Sequence, residues 1–278
     1  QLLRRFCDQI EQTGCFDPEL LRDYPSMLFG LETAMLHLQA GDIIFDTPFS
    51  RGEEGITING LVWMGNFEEM TQRLDQKLDQ GFHCVKLKIG AIRFEDELEL
   101  VKRIRNRYSH REVELRVDAN GAFDFEDALY RMALLAQYAI HSIEQPIRAG
   151  QWSFMAELCR NSPLPIALDE ELIGVNDRDQ KRQMLNIIRP AYIVLKPSLH
   201  GGMMGVREWV ETARDMGIGS WITSALESNV GLDAIAQLTA DIYGSAIRIP
   251  QGLGTGQLFT DNIPMPLTIK GDKLWRCR

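Results

Sequence analysis

Disulfide and membrane signals are scarce in this sequence. Only five cysteines occur among its 278 residues, and no two of them form a CxxC pair. This scarcity argues against a disulfide framework and against a zinc site. No apolar run approaches the length of a membrane span, and no signal-peptide pattern is present. We therefore expect a protein of the reducing cytoplasm with no membrane partner.

Positive charge is also scarce. Lysine and arginine number 30 against 39 acidic residues, the formal net charge is −9, and no basic run interrupts the acidic balance. Nucleic-acid binding is therefore not expected. What is present is an ordinary globular composition, 45% hydrophobic and 25% charged, with ample material for a core. The chain begins with Gln1 inside a helical pattern and not with Met, so we expect the natural N-terminus to be absent.

Short apolar strand patterns alternate with amphipathic helical patterns along most of the chain. The predicted strands are 55–63, 84–89, 113–118, 141–146, 165–170, 192–197, 219–225 and 245–250. The predicted helices between them are 66–81, 94–108, 124–138, 152–160, 178–188, 203–217 and 229–243. Asn66 and Asp124 are expected to cap the first and third of these helices.

This alternation with short connections implies parallel strands joined by right-handed crossovers. Its length favours a closed barrel over an open sheet, and no Gly-rich phosphate loop follows the first strand. We predict an α/β fold, a (β/α)7β TIM-like barrel over residues 55–252. Residues 1–54, whose second helical pattern is 26–41, are predicted to be the remainder of an N-terminal α+β capping domain. Residues 253–278 are predicted to return toward it.

Charged residues occur where the predicted strands end, which is where the active sites of such barrels lie. They are Lys86 and Lys88, Asp118, Glu144, Asp169 and Lys196. The carboxylates follow one another at intervals of one βα unit, so they are expected side by side. Three such carboxylates repel unless a cation lies between them. Oxygen ligands favour Mg²⁺ over Zn²⁺, and Mn²⁺ is an alternative.

Each of these residues also has an ordinary structural interpretation. Asp118 could open a turn, Glu144 could be a surface charge, and Asp169 could cap the helix that follows. The lysine pair at 86 and 88 could line a solvated edge strand. Each interpretation taken alone is the commoner one. Their coincidence at matching strand ends favours a single site.

The two lysines of the second strand suggest proton transfer. Lys86 and Lys88 are two residues apart, so their side chains project from the same face of a strand. A lysine near a metal ion and a second ammonium has a lowered pKa and can remove a proton near neutral pH. Proton removal next to a carboxylate requires a cation that offsets the charge of the enediolate. Lys196, on the sixth strand, is expected across the barrel mouth.

Seven segments together resemble the enolase superfamily, muconate-lactonizing subgroup. They are "KLK" (86–88), "RVDANGAF" (116–123), "IEQP" (143–146), "ALDEEL" (167–172), "VLKPSLHGG" (194–202), "SALES" (224–228) and "GLGTG" (252–256). Within this subgroup the fifth, seventh and last strand ends are most similar to the o-succinylbenzoate synthases of menaquinone biosynthesis. The Asp-x-Asp that dipeptide epimerases carry after the last strand is not found.

The resemblance implies a hydro-lyase that dehydrates 2-succinyl-6-hydroxy-2,4-cyclohexadiene-1-carboxylate to 2-succinylbenzoate with Mg²⁺. It implies that the three carboxylates hold the metal. Lys88 would remove the proton alpha to the substrate carboxylate and return it to the departing hydroxyl. Lys196 would remain cationic and stabilise the enediolate. Lys86 would lower the pKa of Lys88 and contact the carboxylate.

The resemblance also implies residues around the substrate. Arg116 would assist as a charged neighbour, and Ser224, Gly254 and Thr255 would meet the succinyl end. Asn120 would support the metal and lysine side chains without touching the substrate.

Other functions remain open from the sequence. An N-succinylamino acid racemase or a muconate cycloisomerase of the same subgroup would use the same lysines. A non-catalytic barrel that binds an acidic ligand is a remote alternative. A small carboxylate is the expected partner, and a homo-oligomer is compatible with the sequence. Because the front of the capping domain is not found, we expect an open barrel mouth.

Overall fold

The computed structural model describes residues 1–244 and 247–277, apart from the side chain of residue 257. Its helices are α1 Leu2–Thr13, α2 Pro25–Ala40, α3 Phe67–Asp79, α4 Phe94–Arg107, α5 Phe125–Ala136, α6 Trp152–Asn161, α7 Arg178–Ile188, α8 Gly202–Asp215 and α9 Asn229–Tyr243. Its strands are β1 Ile56–Thr57, β2 Gly60–Val62, β3 Cys84–Lys88, β4 Glu114–Asp118, β5 Ser142–Glu144, β6 Ile166–Leu168, β7 Tyr192–Leu195, β8 Gly219–Ile222, β9 Leu267–Lys270 and β10 Lys273–Arg276. Across the described chain, every helix is too short or too polar to cross a bilayer.

The strands β2 to β8 form one parallel sheet in chain order, and a helix follows each strand. The sheet curls until its two edges meet the same short segment. Gln251 bridges to Ile58, just before β2, and Gly252 bridges to Thr223, just after β8. These bridges close the ring, and the predicted α/β fold of TIM-barrel type is confirmed.

The last barrel strand differs from the prediction of 245–250. Ser245 and Ala246 lie outside the described residues, and residues 247–250 are not in a strand. Pro250 has no N–H group to donate to a ladder. Pairing begins only after it, where the N–H groups of Gln251 and Gly252 donate to the carbonyls of Thr57 and Ile222.

The first predicted strand, 55–63, is in fact two strands in two sheets. Strand β1 pairs antiparallel with β10, whereas β2 pairs parallel with β3. The change of partner falls between two adjacent residues. The N–H of Ile58 donates to Asp272, while the N–H of Asn59 donates to Gln251. The sequence pattern could not separate the two strands because both lie in one run that is rich in β-branched residues.

A buried arginine ties the C-terminal strand to other parts of the chain. Strands β1, β10 and β9 form a small antiparallel sheet. From β10, Arg276 donates to the carboxylate of Asp233 on α9 at 3.0 Å and to the carbonyl of Asp42 at 2.9 Å.

The division into capping segment, barrel and returning segment stays a prediction.

Helix starts follow the sequence in part. Asn66 accepts a hydrogen bond from the N–H of Glu69, and the Glu69 carboxylate accepts one from the N–H of Asn66, which is a complete capping box. Asp124 occupies the N-cap position of α5, but its side chain makes no capping hydrogen bond. The predicted cap there is therefore wrong as a hydrogen-bonding interaction.

Helix α8, which follows the loop after β7, receives its cap from α2. Its own N-cap residue is Gly201, which has no side chain to offer. The carboxylate of Glu32 instead accepts the N–H groups of Met203 at 2.6 Å and Met204 at 3.0 Å. The hydroxyl of Ser26, also on α2, donates to the carbonyl of Ser198 at 2.7 Å. Helix α2 thus holds both ends of the loop that follows Lys196.

Glu32 should make the stability of the protein depend on pH. Burial raises the pKa of Glu32 to about 7 in the folded protein, from 4.5 in the unfolded chain. The folded state therefore binds more protons between these values, and stability falls as pH rises from about 4.5 to about 7. Glu32→Gln should remove up to about 3 kcal/mol of this fall.

Urea unfolding of both proteins between pH 4 and pH 8 (about half-unit steps) checks this expectation. The exposed Glu11→Gln on α1 is the matched control, with a pH dependence parallel to the unmodified protein. Parallel curves for Glu32→Gln would contradict the role given to Glu32.

Candidate active site

The six predicted charged residues meet at one rim of the barrel. Within the sheet, Lys88 is paired in register with Asp118, and Asp118 with Glu144. Asp169 and Lys196 directly follow β6 and β7. Parallel strands present their carboxyl ends at the same edge, so residues far apart in sequence become neighbours. The side chains of the carboxylates are at most 2% exposed.

Lysine ammonium groups lie between these carboxylates. The Nζ atom of Lys86 is 3.2 Å from Oδ2 of Asp118 and 3.1 Å from Oε2 of Glu144. The Nζ atom of Lys88 is 2.5 Å from Oδ2 of Asp118. Across the mouth, Lys196 forms an ion pair with Oδ2 of Asp169. Each lysine therefore has at least one buried carboxylate as its partner.

The mutual charges outweigh the cost of burial for two of the carboxylates and two of the lysines. Burial alone would raise the pKa of Asp118, but Lys86 and Lys88 hold it well below its usual range. Burial is likewise opposed at Asp169, where Lys196 lowers the pKa. In the other direction, burial disfavours the charge on Lys86 and Lys196, but the nearby carboxylates raise the pKa of both.

Glu144 is the least compensated member. Burial and the neighbouring charge of Asp118 raise its pKa well above the usual value for a glutamate, and Lys86 offsets this only in part. An additional positive charge at this point would favour the ionised form of Glu144. The electrostatics of the rim thus favour a cation near Glu144.

The donor set fits a hard divalent cation by its chemistry. Asp118, Glu144 and Asp169 supply only oxygen atoms and end three consecutive strands. The Oδ1 atom of Asp169 is buried and has no hydrogen-bond partner among the described residues. As the side chains stand, no three acidic, histidine or cysteine groups in the described chain are grouped closely enough to bind a metal. Lysine ammonium groups lie among the carboxylates instead.

The ordinary interpretations of these residues are only partly realised. Asp169 precedes a 3₁₀ turn, Glu170–Leu172, but its side chain does not cap that turn. The Oδ1 atom of Asp118 does accept the N–H of Asn120 at 3.1 Å, so Asp118 also shapes the turn after β4. Lys88 is buried inside the barrel and is not on a solvated edge.

A short hydrogen-bond chain orients Lys88. Its ammonium donates to Oδ1 of Asn120 at 2.8 Å, and Nδ2 of Asn120 donates to Glu170 at 2.8 Å. Asn120 has a φ of 44°, in the left-handed region that asparagine tolerates better than most residues. The side chain of Asn120 therefore holds the ammonium group of Lys88 in place.

A cavity of about 260 Å³ opens beside the lysines. Its walls include Lys86, Lys88, Lys196 and three further predicted residues, Ser224, Gly254 and Thr255. The hydroxyls of Ser224 and Thr255 are 2.5 Å apart. The described residues that line it all follow residue 54 in the chain. A larger surface groove, about 780 Å³ along α3 and α4, contains none of these residues.

Arg116 does not line this cavity. Its side chain is 1% exposed and pairs with Glu114 through Nε at 2.8 Å. The guanidinium also donates to the carbonyl of Pro250 at 2.9 Å and lies 4.5 Å from the ring centroid of Trp221. Its sequence neighbourhood suggested a substrate contact, but its charge is already matched inside the barrel. That assignment is not retained.

Sequence reasoning missed several wall residues. Trp63, directly after β2, places its ring centroid 5.7 Å from Nζ of Lys88. The rule that strand ends line the mouth would have found it. Leu61, Leu199 and Leu226 also line the cavity, and their apolar character gave no signal.

His200 lies beneath Lys196 and accepts the backbone N–H of that residue through Nδ1. Burial lowers the pKa of His200 to about 3, so its ring is neutral.

Comparisons with known proteins agree with this site. A family model described as "Enolase C-terminal domain-like" matches residues 69–268. An o-succinylbenzoate synthase of Desulfotalea psychrophila is 53% identical over 253 residues, covering 90% of this chain and 68% of that protein. The crystal structure of MenC from Desulfotalea psychrophila matches with a TM-score of 0.84 and 46% identity, covering 98% of this chain and 80% of the other.

A more distant relative shows the limits of the match. The L-Ala-D/L-amino acid epimerase of Maribacter sp. is 25% identical, over 71% of this chain and 55% of its own length. The chain thus spans about half the length of that relative. The two matches from Desulfotalea psychrophila support o-succinylbenzoate synthase function, which is that of a carbon–oxygen lyase acting on a small carboxylate. Since the family model covers most of the sequence, the chain belongs to the enolase superfamily.

Proposed function

We propose that this chain dehydrates 2-succinyl-6-hydroxy-2,4-cyclohexadiene-1-carboxylate to 2-succinylbenzoate, a step of menaquinone biosynthesis. The observation that carries the proposal is the rim itself, where three lysines line one cavity and form ion pairs with three buried carboxylates. The 53% identity to an o-succinylbenzoate synthase supports the choice of reaction. The cavity is lined by ammonium groups together with hydroxyl and apolar groups, as a carboxylate with a hydrocarbon body requires.

Lys88 is the proposed base. It faces the cavity and is held by Asp118 and Asn120. In its neutral form it takes the proton alpha to the substrate carboxylate, and it then gives that proton to the hydroxyl that leaves as water. One base on one face is sufficient, because proton and hydroxide depart from the same side.

Lys196 and Lys86 are proposed to supply fixed positive charge. Around the ring, β3 and β7 are separated by β4, β5 and β6 on one side and by β8, the segment 251–252 and β2 on the other, so Lys88 and Lys196 stand on opposite sides of the mouth. Lys196 remains an ammonium, since Asp169 raises its pKa, and it stabilises the enediolate. Lys86 lies between Asp118 and Glu144 and binds the substrate carboxylate.

Asp118, Glu144 and Asp169 are proposed to hold Mg²⁺, with Mn²⁺ as an alternative. When bound, the cation would supply the positive charge that makes a proton next to a carboxylate removable. The protein contributes three buried oxygen donors and a partly uncompensated Glu144. Ser224, Thr255 and the backbone at Gly254 are proposed to meet the succinyl end.

A reducing compartment is proposed for this enzyme. All five cysteines are free thiols. The Sγ atom of the buried Cys84 donates to the carboxylate of Glu114 at 3.4 Å, so it has a structural partner other than sulfur. Thiols that persist unpaired in this way are typical of the cytoplasm.

Substitution of the two lysines tests the assignment of roles. Lys88→Arg should lower kcat for dehydration by about 10² to 10⁴, because arginine stays protonated and cannot act as a base. Lys196→Arg keeps a cation and should retain measurable dehydration. It should abolish any racemisation of N-succinylamino acids, which needs a base on each face. Product formation followed by absorbance, and chiral analysis of the amino acid, provide the two readouts.

The exposed Lys102→Arg on α4 is the matched control and should keep the original rates. Full synthase activity in Lys88→Arg would remove the proposed base. Full racemase activity in Lys196→Arg would show that a second base lies elsewhere.

Metal binding can be tested without an activity assay. A cation that binds only the folded state raises its unfolding free energy, by about 2.7 kcal/mol at a hundred times Kd. Thermal unfolding should therefore shift upward with MgCl₂, and EDTA should reverse the shift. Asp169→Asn should abolish the shift, whereas Asp8→Asn, an exposed change on α1, should keep it. Retention of the whole shift in Asp169→Asn would exclude Asp169 as a ligand.

A further inference from the structure

Leu226 adopts a backbone conformation that leucine normally avoids. Its φ is 68°, in the left-handed region where a Cβ atom is crowded by the backbone. Glycine would occupy this position without strain. Two other non-glycine residues with positive φ, Asn120 and Gln145, also follow barrel strands at the mouth. Strain of this kind is found mainly where function requires it.

Hydrogen bonds on both sides hold Leu226 in place. The N–H of Leu226 donates to the hydroxyl of Ser224 at 3.3 Å, and the N–H of Ala225 donates to Glu227 at 2.8 Å. The carboxylate of Glu227 also accepts the hydroxyl of Ser198, from the loop after β7. The segment is therefore tied to a neighbouring strand end and is not a free loop tip.

Leu226 lies at the cavity and outside the hydrophobic core. It is 41% exposed and lines the same cavity as Lys88 and Lys196. Leu61 and Leu199 are the other leucines of that wall. An exposed leucine gains nothing for folding, and the left-handed backbone costs free energy. We therefore expect the free energy that the folded state loses at Leu226 to be compensated by a ligand that binds there.

We infer that Leu226 is a specificity-determining residue that packs against the hydrocarbon body of the substrate, away from the reacting carboxylate. The inference rests on the proposed dehydration and adds a residue to it. Because the contact is made equally before and during the chemical step, its loss raises KM and leaves kcat unchanged. If glycine replaces leucine, the backbone strain at this position is relieved as well. Contact and strain can therefore be separated by two substitutions.

Leu226→Gly removes both the side chain and the strain. KM should rise about tenfold with kcat within about twofold, and the urea midpoint should rise. Leu226→Ala removes the contact but keeps a Cβ atom at positive φ. It should show the same rise in KM without the gain in the urea midpoint. Calorimetric binding of the product 2-succinylbenzoate should weaken in both variants.

Ala139→Gly is the matched control. Ala139 has a φ of 49° and lies in the loop between α5 and β5, outside the cavity wall. Its replacement should raise the urea midpoint and leave KM and product affinity unchanged. Leu38→Ala, at a 78% exposed leucine of α2, should change neither quantity.

The failure of this inference and the failure of the proposed function give different results. If the unmodified protein dehydrates the substrate but KM and product affinity are unchanged in Leu226→Gly and Leu226→Ala, this inference is overturned and the proposed function stands. If the unmodified protein neither converts the substrate nor binds the product, the proposed function is overturned together with the ligand assigned to Leu226. A fall of the urea midpoint in Leu226→Gly would also overturn the inference, since the leucine would then serve the fold.

Discussion

The ion pairing of two buried lysines and the half-buried Lys196 with three buried carboxylates is the interaction on which the rest of the site depends. A single buried charge is very costly, and it is tolerated only beside an opposite charge at hydrogen-bonding distance. Here Lys86 lies between Asp118 and Glu144, and Lys88 shares Asp118 with it. These contacts require the parallel register that brings consecutive strand ends together. The barrel thus brings the charged residues together. Each buried charge in turn requires an opposite charge beside it at the rim.

Buried carboxylates elsewhere in the protein show how this cluster differs. Asp233 accepts Arg276 on one oxygen and Gln237 on the other. Glu171 likewise uses both oxygens, with Gln145 and the N–H of Gly150 as donors. Such fully satisfied groups stabilise the fold. Asp169 instead leaves a buried oxygen without a partner among the described residues, as Glu97 and Glu170 also do. At Asp169 the unpartnered oxygen belongs to the cluster of three carboxylates in which we propose that a cation binds.

The residues around the charge cluster position its lysines. The Asn120 side chain orients Lys88, and α2 anchors the loop after Lys196 through Ser26 and Glu32. Left-handed residues such as Leu226 are held at the same rim by hydrogen bonds between neighbouring loops. A helical segment ahead of the barrel therefore contributes to the site without lining the cavity. Rigid positioning of this kind is what proton transfer at a carbon atom requires.

The sequence by itself determined the alternation of strands and helices, and with it the barrel and the set of charged strand ends. These features are local, because side-chain periodicity and strand ends can be read within one βα unit. The capping box at Asn66 was readable for the same reason. Only the tertiary structure decided where the ring closes, at Gln251 and Gly252, and that Arg116 pairs with Glu114. Those outcomes depend on which distant groups supply hydrogen-bond and charge partners, and a local pattern contains no information about partners that lie on other strands.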